Sequence, residues 1–159
     1  LLTTTGKDEC LQLQKDFPFS KDISIVLASP LQRTIQTAAW VFAPELEQRQ
    51  LPFILVPGAQ EISGLNCNHG WDEEHIKLQA PKLIAEAAPG FDSSGLDATL
   101  VDETWNSKVF AGVDCGMCYT DVYTSYRLGY MHTRFLLSVS VLPICGNGCG
   151  IDLRNILLL

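Results

Sequence analysis

Residues 23–27 read ISIVL, a short apolar run that stops at Ser29 and Pro30 and gives way to a different rhythm. Ile23, Ile25, Val26 and Leu27 form a nearly continuous bulky stretch, too short for a helix. Such a stretch suits a strand buried on both faces, as in parallel sheets. From Pro30 onward the apolar residues fall at Leu31, Ile35, Ala38 and Phe42, the spacing of one helix face. The junction itself fits a helix start. Ser is a preferred N-cap, and the missing N–H of Pro costs nothing in a first turn. The reading is a buried strand, a sharp turn and a helix over 30–42, with Gln32 and Gln36 off the buried stripe and Pro44 ending the segment.

The alternation extends along the chain. Residues 3–17 predict a helix whose free N–H groups are capped by Thr3, Thr4 or Thr5, with Asp8 and Glu9 early and Cys10, Leu13 and Phe17 on one face. LPFILVPG at 51–58 is a second strand with turn residues at both ends. Residues 59–71 read as a loop. Asp72, Glu73 and Glu74 open another helix, which Pro81 is expected to kink or split. Residues 89–99 read as a loop. Strand and helix in alternation predict an α/β fold, a three-layer sandwich with a mostly parallel sheet flanked by helices, incomplete here.

The 159 residues suit one domain. Within it, residues 1–105 carry this α/β pattern, whereas 106–159 change character. No Lys follows Lys108, no Glu follows Glu103, and 135–151 hold no charge. That stretch is shorter than the roughly 20 residues a membrane helix needs and is broken by Pro143, Asn147 and glycines, so it predicts a buried strand with its turn.

The net charge of −7 argues against nucleic acid or an anionic membrane as partner. It leaves room for a small anion, which needs only a local cluster of Arg and His. The segment LLTTTGKDEC has neither the basic start nor the apolar core of a signal peptide, which points to the cytoplasm. The chain begins with Leu1 and its methionines are Met117 and Met131, so it is expected to derive from a longer reading frame.

Six cysteines in this length are too sparse for a disulfide scaffold. Cys115, Cys118, Cys145 and Cys149 have spacings that zinc tolerates, but no compact finger-like context surrounds them and buried free thiols are common. No metal or other cofactor is expected. No phosphate-binding Gly-rich loop and no Gly-x-Ser-x-Gly elbow occurs.

The strand–turn–helix unit has a chemical use. It brings Ser29 and Pro30 to the carboxyl edge of the sheet, where open α/β folds hold ligands. A helix N-terminus there favours phosphate, and Arg33 in its first turn adds a planar fork for two phosphate oxygens. A capped amphipathic helix with a solvated surface arginine is the alternative.

The segment SPLQRTIQTA at 29–38 resembles the Ser-Pro-Leu-x-Arg-x-x-x-Thr-Ala signature of the histidine phosphatase superfamily, the phosphoglycerate mutase-like proteins. LLTTTGKDEC is similar to that family's Leu-Thr-x-x-Gly-x-x-Gln segment, with Glu9 in the Gln position. LVPGAQEISGLNCNHG resembles the segment after its next strand, with Glu61 in the place of a family glutamate. The three segments follow the family's order over roughly residues 1–75. The resemblance implies metal-free phosphomonoester hydrolysis through a phosphohistidine, on a small phosphorylated substrate or inorganic phosphate. Ser29 and Arg33 would bind the phosphate, Glu61 would protonate the leaving oxygen, and His132 would supply the second histidine beside the phosphoryl group. For His132 a partly buried structural role stays open, and for Glu61 an idle, exposed one.

The departures from the family pattern matter as much. No Arg-His-Gly, the motif of the attacking histidine, occurs in the 159 residues. Asn68, His69 and Gly70 do not replace it, because they follow the Ser-Pro-Leu segment instead of preceding it. His69 is expected in a polar loop and His75 on the exposed face of the next helix. The resemblance therefore implies that these residues alone have negligible turnover. A non-catalytic binding or structural domain that keeps only the scaffold is the rival reading.

Overall fold

The computed structural model describes residues 1–60 and 68–107, together with the short strands at 137–139 and 157–158. Helix α1 spans Thr4–Asp16, and the Thr3 hydroxyl caps it by accepting a hydrogen bond from Gly6 N at 3.1 Å. Its first turn holds no acid, because Asp8 and Glu9 lie one turn further in than the sequence suggested. The face prediction holds: Cys10 is fully buried, and Leu13 and Phe17 pack against the core.

Strand β1 is Val26–Ala28, β2 is Phe53–Leu55 and β3 is Leu96–Asp97. Strands β4, Leu137–Val139, and β5, Leu157–Leu158, complete an open sheet of order β3-β2-β1-β4-β5. All neighbours pair parallel except β4 and β5, which run antiparallel. In the central register Val26 faces Phe53 and Ala28 faces Leu55. These four side chains are buried on one face, while Leu27 and Ile54 on the other are half-buried. The expected α/β arrangement is present, but β1 is not equally covered on both sides.

Helix α2, Gln32–Val41, lies on β1, and α1 and α4 pack on α2. The predicted stripe is correct: Leu31, Ile35, Ala38 and Phe42 are all buried. Three details differ. The N-cap is Leu31, with no side-chain cap bond, so the helix starts two residues later than expected. Gln36 is not off the stripe but buried. Its Oε1 accepts from Leu2 N at 2.9 Å, and its Nε2 donates to Glu86 Oε2 at 2.9 Å. Pro44 does not end the helical region. It sits in the first turn of α3, Ala43–Arg49, where a proline starts a helix as readily as it stops one.

Helix α4, Glu73–Ala87, opens as predicted on Asp72, whose carboxylate accepts from His75 N at 2.7 Å. It runs unbroken through Pro81 rather than splitting there. Its buried stripe of Ile76, Ala80, Leu83 and Ile84 faces the core and outweighs the local cost of one missing helical N–H. Among the described residues no helix is long and apolar enough to cross a membrane.

Candidate functional site

Three parallel strands deliver three loops to one edge. The backbone leaves β1 at Ser29, leaves β2 through a 3₁₀ turn at Pro57–Ala59, and leaves β3 into 98–107. Val56 N donates to Ala28 O at 2.8 Å, which ties the first two exits together at the carboxyl ends. Gln60 Nε2 donates to Trp105 O, which joins the second exit to the third.

The turn between β1 and α2 is built from within. Ser29 is buried, with its Oγ 3.4 Å from Leu31 N. Thr34, also buried, places its hydroxyl 2.7 Å from both Ser29 O and Leu31 O and donates between them. Ser29 thus shapes the turn, while the helix is capped by backbone rather than by its side chain. A threonine hydroxyl bonding back three to five residues has no periodic signature, so Thr34 escaped the sequence reading.

Arg33 lies in the first turn of α2 and is half-buried. Its Nη2 donates to Asn68 Oδ1 at 3.0 Å. The guanidinium is therefore held at the carboxyl edge of the sheet, not spread into solvent. Asn68 is only 1% exposed, although its sequence neighbourhood reads as a polar loop. Beyond it, Gly70 exchanges two hydrogen bonds with the Asn106 side chain, N to Oδ1 at 3.0 Å and Nδ2 to O at 2.7 Å. The Trp105 ring covers Gly70 so closely that an added Cβ would lie 2.3 Å from its Cη2. Glycine is required here by approach. Asn68, Trp105 and Asn106 were missed because their significance depends on contacts 35–45 positions away in sequence.

Of the four site residues expected from sequence, Arg33 and Ser29 share this turn. Glu61 and His132 lie outside the described residues, as do Cys115, Cys118, Cys145 and Cys149. His69 and His75 are exposed, as expected, and the His75 ring lies 5.4 Å from Trp71. Among the described residues no group of three or more His, Cys, Asp or Glu side chains could hold a metal ion. An arginine fixed beside a helix N-terminus, at the mouth of a parallel sheet, can receive a small oxyanion through charge-assisted hydrogen bonds.

Comparison with known proteins finds one partial similarity. A probable phosphatase of Schizosaccharomyces pombe is 30% identical to it over 82 residues, which is 51% of this chain and 38% of that protein. The match thus spans well under half of the relative's length. No family model matches the chain, and no solved structure does.

Proposed function

We propose that the chain belongs to a cytoplasmic phosphatase of the phosphoglycerate mutase-like, histidine-dependent kind and that it carries the phosphate-binding part of the site. The observation that carries this reading is Arg33, anchored in the first turn of α2 at the carboxyl edge of the sheet. The similarity to a probable phosphatase supports the phosphatase part of this reading. In this proposal Arg33 grips the phosphoryl oxygens and Ser29 shapes the turn beneath them. Glu61 protonates the leaving oxygen and His132 assists charge neutralisation. The nucleophile is a histidine outside these 159 residues, since no Arg-His-Gly occurs among them. The substrate is a small phosphomonoester. These residues alone bind phosphate without turning it over, because loss of a covalent nucleophile removes orders of magnitude in rate.

The test is titration of the 15N-labelled chain with inorganic phosphate. Shifts should centre on Arg33 and residues 29–34 and vanish in Arg33→Ala. A flat response would favour a scaffold without a site. Phosphomonoesterase activity from these residues alone, lost in Glu61→Ala, would contradict the assignment of the nucleophile.

A further inference from the structure

Asn68 is an amide buried to 1% exposure inside a segment that sequence reads as a polar loop. Buried amides persist where their hydrogen bonds are made, and this one accepts from Arg33 Nη2 at 3.0 Å. We propose that Asn68 is a positioning residue that sets the orientation of the Arg33 guanidinium for an incoming oxyanion; the proposal rests on the phosphate-site reading above.

Three observations support it. The first is rigidity of the support. The segment that carries Asn68 is locked two residues later by the paired hydrogen bonds between Gly70 and Asn106. The Trp105 ring presses on the same glycine, and Trp105 O is held by Gln60. The acceptor is therefore fixed before any ligand arrives. The second is entropy. A free arginine loses much rotamer freedom when it is immobilised on a ligand, and a side chain anchored in advance has already lost it on folding. The third is charge. A carboxylate at position 68 would orient the guanidinium equally well but would cancel part of its charge. An amide orients it and adds no charge of its own, so the contact does not compete electrostatically with phosphate.

The experiment uses the 159-residue chain, inorganic phosphate as the probe, and the variants Arg33→Ala, Asn68→Ala and Asn68→Asp. Melting temperatures are recorded for each. The expected result is that Arg33→Ala abolishes binding and both Asn68 variants weaken it by about tenfold or more, the Asp variant at least as strongly as the Ala variant. That order separates positioning from general loosening, because Asn68→Asp should melt no lower than Asn68→Ala while binding no better. Should Arg33→Ala abolish binding while both Asn68 variants bind like the wild type, the positioning role is refuted and the phosphate site stands. If the wild type does not bind phosphate at all, the phosphate-site reading fails and the positioning role falls with it. Because a buried asparagine is a risky site for substitution, a measurement on the unaltered protein adds an independent check. In side-chain nitrogen spectra Arg33 should show separate, slowly exchanging Nη signals, whereas averaged signals typical of freely rotating arginines would refute the proposal.

Discussion

Replacing Gly70 by alanine should damage the candidate site through a single steric conflict, and its size follows from the geometry. The new Cβ would stand 2.3 Å from Trp105 Cη2, 2.8 Å from Cζ2 and 3.3 Å from Leu31 Cδ2. Carbon atoms in contact rest at about 3.5–4.0 Å, so the ring must retreat by about 1 Å. Trp105 is 4% exposed and has little room to move. Overpacking of this kind costs about 1–3 kcal/mol, and for a chain of this size each kcal/mol lowers the melting temperature by about 2–4 °C. Retreat of the indole also disturbs the 68–70 segment, which carries the Asn68 acceptor of Arg33. Thermal melts of four proteins test this: wild type, Gly70→Ala, Trp105→Phe and the double variant. The shorter Phe ring removes the atoms that clash, and it also removes an indole N–H that finds no hydrogen-bond partner among the described residues. Gly70→Ala should therefore cost about 2 kcal/mol in the wild type and close to nothing in the Trp105→Phe background, a coupling typical of residues in direct contact. Equal costs in the two backgrounds would refute the steric argument. A cost in both would point instead to the backbone at position 70.

Two further perturbations probe the helical layer. Gln36→Ala removes the acceptor for Leu2 N and opens a void in the face of α2, so it should destabilise by about 2–3 kcal/mol in urea melts. Gln36→Leu loses the same two bonds but refills the void, so it should cost about 1 kcal/mol less than Gln36→Ala; equal losses would contradict the role assigned to packing. Burial pushes the Cys10 thiol up to about 11, an effect that Thr37 opposes and Glu9, to a smaller extent, reinforces. The folded pKa lies above the unfolded one, so this stabilisation is full below about pH 9 and is lost as pH rises toward 11. The wild type should lose about 2 kcal/mol more than Cys10→Ala between about pH 8 and pH 11, and parallel curves would show that the thiol is not buried as described.

What could be read from sequence was what local rules control. The stripe Leu31, Ile35, Ala38 and Phe42 was legible because helical spacing depends only on near neighbours, and for the same reason so were a threonine cap within residues 3–5, which falls on Thr3, and an acidic helix start at Asp72, Glu73 and Glu74. Pattern failed where distant partners decide. Gln36 was placed outside because polarity was the only local clue, whereas Leu2 and Glu86 satisfy it in the interior. Strand β3 has only two residues, too few for any periodicity, and is defined by pairing with Phe53 and Ile54. Pro44 and Pro81 were read as breakers, but the first opens a helix and the second is carried by a buried stripe. At the site, Arg33 was found from a helix start and a resemblance, while Asn68, which holds it, had no signal in the sequence.

The position of β1 in the sheet has a consequence for biogenesis. Its neighbour β2 is synthesised soon after it, but the strand on its other side, β4, begins only at Leu137. At typical translation rates roughly 5–20 s separate the emergence of β1 from that of β4. During that interval one row of β1 amide and carbonyl groups stays without its final partner, a template for pairing with another nascent chain. A polypeptide stopped after residue 107 would keep that edge permanently, and self-association through it is the expected fate.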